Sequence, residues 1–140
     1  MLVVDTSAVI AALGGSPPPP GLRERLGDDG DLHAPHLIDV EVLHALRRLV
    51  ARGELAEDRA LDVRADFEAL SLVRYPHHPL ADRIWELRDN LTAYDAAFVT
   101  LAEALGSPLV TCDAGLGRVP GVAISVEVFS RRSRRSRPSG

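Results

Sequence analysis

Apolar positions along this chain follow two rhythms. Short, mostly apolar segments at Leu2-Val3-Val4, Leu32 to Ala34, Leu72-Val73, Leu109-Val110-Thr111 and Val122-Ala123-Ile124 have the length of strands. Between them, apolar residues recur at steps of three and four, the spacing of one helix face. Ala8 to Leu13 reads as a brief helix stopped by Gly14-Gly15, and Gly21 to Leu26 as another, ended by Gly27-Asp28-Asp29-Gly30. A long helix is predicted from about Pro35, placed in its first turn, to Arg52, with Ile38, Val42, Leu46 and Leu49 inward. Glu41, His44, Arg48 and Arg52 make a second stripe on that helix, and Gly53 closes it. Glu57 to Leu70, Pro79 to Leu91 and Thr92 to Leu105 complete the helical segments. Pro17 to Pro20 is a stiff spacer with no backbone donors to offer a sheet.

Strands that alternate with helices predict an α/β fold, a central mainly parallel sheet flanked by helices. At 140 residues the chain suits one domain, set here at residues 1–130, and a domain of this size buries roughly 68% of its unfolded surface. Hydrophobic residues make up 46% and charged residues 26%, a composition that argues against wholesale disorder. The apolar runs are far shorter than the ~20 residues of a membrane span, and Met1 to Asp5 shows no basic stretch ahead of an apolar one. A cytoplasmic protein with no membrane partner is therefore expected. A single cysteine, Cys112, excludes an internal disulfide and a cysteine-clustered zinc site.

Charge sharpens the picture. All sixteen basic residues are arginine, which excludes chemistry with an obligatory lysine, including phosphate loops of the Walker type and Schiff bases. Five of those arginines lie within residues 131–140; taking their +5 from the net −4 leaves residues 1–130 at −9. The body is acidic and the tail, expected to be disordered, is basic.

Ligands of parallel sheets sit beyond the carboxyl ends of the strands. Asp5 and Asp113 follow predicted strands, Asp95 stands at a helix start, and Glu41 lies one turn into its helix. Four carboxylates in one crevice repel one another and would have raised pKa values unless a cation neutralised them, and Mg²⁺ or Mn²⁺ suits carboxylate oxygens plus water. The plainer alternative stays open at this point: the aspartates are also good helix caps, and Glu41 alone is an ordinary solvated residue. Asp39 is the substitute for Glu41 if the helix is rotated. His33, His36, His44, His77 and His78 read as surface or turn histidines, Cys112 as a packing residue, and Trp85 as core or interface filler. Aromatic residues, 4% of the chain, are too few to suggest a base-stacking platform.

The order and context of these motifs resemble a known family. Asp5-Thr6-Ser7 after the first strand is similar to the opening of PIN domains. The segment from Pro35 to Glu41-Val42 resembles their second acidic motif, Leu91-Thr92-Ala93-Tyr94-Asp95-Ala96-Ala97 the third, and Leu109-Val110-Thr111-Cys112-Asp113 the fourth. The whole, over about residues 1 to 126, looks most like the toxin of VapBC-type toxin–antitoxin modules. The resemblance implies a PIN-like three-layer sandwich and an endoribonuclease in which Asp5, Glu41, Asp95 and Asp113 hold Mg²⁺ or Mn²⁺ and activate water. It implies that Thr6, Ser7 and Thr111 orient those carboxylates, and that the protein is a homodimer with a cognate antitoxin. The family pattern includes neither Pro17 to Pro20 nor the arginine tail; from charge alone, Arg48 and the tail residues Arg131, Arg132 and Arg134 are candidates to meet RNA phosphates, beside the plainer reading of the tail as a solubilising end. Two rivals stand beside it: a PIN-like module that binds RNA or protein without cutting, and a phosphomonoesterase, which lacks its second acid because Ser7 occupies that place.

Overall fold

The computed structural model describes residues 1–130, so the expectations for the arginine tail lie outside the described residues. Five strands are formed: β1 (Leu2–Val4), β2 (Leu32–Pro35), β3 (Leu72–Tyr75), β4 (Leu109–Thr111) and β5 (Val126–Val128). They make one wholly parallel sheet in the order β3-β2-β1-β4-β5. Six α-helices cover it: α1 (Thr6–Gly14), α2 (Leu22–Asp29), α3 (Ile38–Ala51), α4 (Glu57–Ala69), α5 (Ala81–Glu86) and α6 (Ala93–Leu105). This is the three-layer α/β architecture expected from the alternation of patterns. Among the described residues no helix is long and apolar enough to cross a membrane.

The middle of the sheet explains the unbroken apolar runs. Leu2, Val3 and Val4 on β1 and Leu109 and Val110 on β4 have no exposed surface, because both faces are covered by helices. On one side α1 packs with α3 and α4; on the other α6 lies against β1, β2 and β4 with α5 beside it. Seven consecutive residues of α6, Ala96 to Ala102, are buried, and the small Ala96, Ala97 and Ala102 bring the helix close to the sheet. The edge strands β3 and β5 are only partly covered.

Several element boundaries differ from the pattern. Pro35 does not open the long helix; it ends β2, opposite Tyr75, and α3 begins at Ile38. The strand tolerates it because the next residue, His36, donates the N–H to Tyr75 O. Val122 to Ile124 is not a strand. Leu109 N bonds Ser125 O and Phe129 N bonds Thr111 O, so pairing with β4 starts only at Val126, while Val122 and Ile124 pack on the core from a loop. The single helix expected over 79–91 divides into a 3-10 turn (His78–Leu80), the short α5, and turns through Asn90. Trp85 is not core: it is 66% exposed, with the Arg88 guanidinium 4.5 Å from its ring centre. His33 is not a surface histidine. It is buried on β2 between Tyr75 Oη and Asp31, at 2.7 Å from each.

Candidate active site

In a parallel sheet whose chain winds outward both ways from the middle, a crevice opens where neighbouring strands send their connections to opposite sides. Here β1 is followed by elements leading to β2, and β4 by elements leading to β5. Beyond the carboxyl ends of β1 and β4 lies a crevice of about 380 Å³ lined by Asp5, Thr6, Ser7, Glu41, Asp95 and Asp113, with Ile10, Ala45, Arg48, Leu49, Arg52 and Phe98 forming the rest of its wall. Four elements remote in sequence thus contribute one carboxylate each to a single cavity.

Asp5 is the best held. Only 6% of it is exposed, and its side chain caps α1. Oδ1 accepts from Ser7 Oγ at 2.7 Å and from Ala8 N at 2.9 Å, and Oδ2 accepts from Thr111 Oγ1 at 2.5 Å. The two hydroxyls are oriented in turn. Ser7 Oγ accepts from Cys112 N and Thr111 Oγ1 accepts from Asp113 N, both at 2.9 Å. Each hydroxyl hydrogen is thereby committed to Asp5, so the 3.3 Å approach of Ser7 Oγ to Thr111 Oγ1 is a contact without a proton between them. One acceptor position remains on Oδ2, which takes one hydrogen bond where Oδ1 takes two.

Glu41 projects from α3 and accepts from Thr6 Oγ1 at 2.8 Å. Asp113 follows β4 and caps the next turn through Oδ1, which accepts from Gly115 N at 2.8 Å. Asp95 lies in the first turn of α6, whose cap is Thr92: the Thr92 hydroxyl accepts Asp95 N. Among the described residues the Asp95 carboxylate itself accepts no hydrogen bond from the chain.

The electrostatics record what this gathering costs. Burial, above all, raises the pKa of Asp5, Glu41 and Asp95 above the ordinary carboxylate value. Mutual repulsion adds to it: Asp95 acts on Asp5 and on Glu41, Asp5 acts on Glu41, and Asp113 acts on Asp95. Hydrogen bonds from Thr111, Ser7 and Ala8 pull Asp5 back, and Thr6 does the same for Glu41. Cys112, half-buried behind Asp5, has its thiol pushed up to about 11 by burial and by that charge.

Among the described residues, no three His, Cys, Asp or Glu side chains close up as a finished cation cage. The four carboxylates still line one crevice. Their chemistry nonetheless suits a hard divalent cation: all-oxygen donors, a free acceptor position on Asp5, and an uncompensated charge on Asp95. Asp39, the substitute considered for Glu41, points away and is held by Arg74 Nε at 2.8 and 3.0 Å. The histidines do not line the crevice. Arg52 and the apolar wall are what the sequence reading missed. Arg52 stood in the polar stripe of the long helix, but the stripe named His44 where the cavity has Ala45 and Leu49.

The sequence profile of the PIN domain family matches residues 2–122. Ribonuclease VapC9 of Mycobacterium tuberculosis is 44% identical over 131 residues, covering 94% of this chain and 100% of its own length. Ribonuclease VapC1 of the same organism is 42% identical over 130 residues, covering 90% and 96%. Among solved structures, VapBC2 from Rickettsia felis bound to a promoter DNA fragment aligns with a TM-score of 0.68 at 14% identity, over 91% of this chain and 98% of that chain, a likeness of fold.

Proposed function

The chain belongs to the PIN domain family, and from that premise we propose that it is a Mg²⁺- or Mn²⁺-dependent endoribonuclease, the toxin of a VapBC-type toxin–antitoxin module. The observation that carries the proposal is the meeting of Asp5, Glu41, Asp95 and Asp113 in one crevice at the carboxyl ends of the central strands. Relatives that cover nearly the whole chain are named VapC ribonucleases, and this supports RNA as the substrate and an antitoxin as the partner. Antitoxin and homodimer are part of the same proposal; co-purification with the antitoxin and light scattering of the toxin alone test them.

Asp5 and Asp95 would hold the cation directly, with Glu41 and Asp113 reaching it directly or through water. Bound there, it would supply a water acidified enough to attack a phosphodiester and would offset charge on the phosphate. The remaining work belongs to side chains of the chain itself. Ser7, Thr111 and Ala8 N favour the charged form of Asp5 and fix its direction. Thr6 orients Glu41 in the same way, placing its carboxylate to take a proton from the attacking water. Burial of Asp5 keeps bulk water away from one side of the site.

The rival is a PIN-like module that binds RNA without cutting it. Incubating RNA with the protein in Mg²⁺, in EDTA and with Asp95→Asn separates the two. Cleavage confined to wild type in Mg²⁺ supports the nuclease. RNA that is bound but left whole under all three conditions refutes it.

A further inference from the structure

Arg48 and Arg52 line the same crevice as the four carboxylates. Among the described residues neither guanidinium has an ion-pair or hydrogen-bond partner, whereas Arg25, Arg74 and Arg83 are each locked onto carboxylates. Both lie on the face of α3 that carries Glu41. At 1.5 Å rise per residue Arg48 stands about 10 Å beyond Glu41 along the axis, and Arg52 about 16 Å. The rest of the crevice wall includes the apolar Ile10, Ala45, Leu49 and Phe98. Like charges one helical turn apart repel, and an anion held between them relieves that repulsion. Apolar walls also focus the field of such a pair along the cavity.

Resting on the nuclease reading above, we infer that Arg48 and Arg52 form a phosphate subsite for the RNA backbone on one side of the bond to be cut. Arg48 and Arg52 lie two and three turns along α3 from Glu41, a spacing that suits an oligonucleotide strand running along the helix better than a lone phosphate. The two arginines are positioning residues. In an acidic body they are the cations that set where along the strand the carboxylates act, and the planar fork of arginine takes two phosphate oxygens at once.

The test compares the full-length wild type with the double variant Arg48→Gln/Arg52→Gln. Arg47→Gln serves as the control, because Arg47 is exposed on the same turn of α3 but does not line the crevice. Steady-state cleavage of an RNA oligonucleotide is followed from 50 to 200 mM salt. Two lost phosphate contacts on a single strand reduce the salt slope of log(kcat/KM) by about 1.4 and raise KM by about 60-fold at 50 mM and about 10-fold at 200 mM, with kcat nearly unchanged. The control keeps the wild-type slope and KM. The inference is overturned if the double variant keeps wild-type KM and slope, if it matches the control, if kcat alone falls, or if only binding to an acidic antitoxin peptide is lost. Wild type that cleaves no RNA overturns the nuclease reading and the subsite with it. Wild type that cleaves while the double variant retains its KM overturns the subsite alone.

Discussion

Replacing Thr111 by valine isolates the energy that holds the buried carboxylate of Asp5. Thr111 is fully buried on β4, and valine has its shape and its preference for strands, so packing is preserved. What disappears is the hydroxyl that donates to Asp5 Oδ2 and accepts Asp113 N. Asp113 is exposed, and water replaces its lost acceptor at little cost. Asp5 cannot be rescued in this way, because it is 6% exposed. A hydrogen bond to a charged group contributes ~1.5–3 kcal/mol, so the variant should lose about 2 kcal/mol when Asp5 is ionised. At ~2.1 cal/mol/K per residue, that lowers Tm by about 7 °C. The loss depends on pH in a definite direction. The hydroxyl favours the charged form of Asp5, so its removal raises a folded pKa already above the ordinary value. The gap between wild type and variant is therefore full above that pKa and narrows as pH falls through it, to roughly half, since a neutral pair contributes only ~0.5–1.5 kcal/mol. Thermal melts in EDTA at pH 8 and at the lowest pH where both proteins fold measure both quantities. An equal loss at the two pH values, or no loss at pH 8, would refute the reasoning.

Asp95→Asn should raise the Tm of the metal-free protein at pH 8 while abolishing RNA cleavage. The folded pKa of Asp95 is raised by burial and by Asp113, so its stabilising contribution is present at low pH and lost as pH rises through that pKa, and the gain should vanish in acid. Arg83→Ala should lower Tm slightly. Arg83 grips Glu103 with two hydrogen bonds at 3.0 Å and also donates to Gly121 O, joining α5, α6 and the loop before β5; solvent screens this pair, so melts in 1 M salt should show a smaller loss. Gly15→Ala should cost ~1–3 kcal/mol, read by urea denaturation, because a Cβ there would collide with Ala11 O and Pro18 Cα, both backbone atoms that cannot swing aside.

The interior of the fold was legible because burial imposes period. Leu2 to Val4, Leu109 and Val110 had to be apolar, and the helical segments carried their inward stripes openly. The edge was not legible. Strand β5 carries Glu127 between two valines, and that carboxylate is held by Arg25 at 2.8 and 2.9 Å, a pairing set by tertiary packing alone. Val122 to Ile124, more apolar, looked the better strand but lies too early to meet β4 in register. The same limit applied to the site. Period could not choose between Asp39 and Glu41 on one helix. The choice follows from β3 placing Arg74 beside Asp39, and from Thr6 at the start of α1 reaching Glu41. Arg48 and Arg52 shared a visible stripe, but which neighbours completed the cavity wall depended on how α3 rolls against α1.

Capping and chemistry are not competing roles for these aspartates, because a carboxylate has two oxygens. Asp5 uses Oδ1 to cap α1, accepting Ala8 N, and leaves Oδ2 with a single hydroxyl donor and a free acceptor position toward the crevice. Asp113 follows the same division, its Oδ1 closing the turn through Gly115 N. The local signal that makes aspartate a good residue after a strand thus also fixes its second oxygen in space. Asp95 is different in kind: its helix is capped by Thr92, and its carboxylate receives nothing from the described chain. A side chain desolvated, repelled by Asp113 and unrewarded by any donor weakens the fold that contains it. Under the nuclease proposal a bound divalent cation would supply the missing positive charge, so neutralising Asp95 should strengthen the empty protein and abolish cleavage.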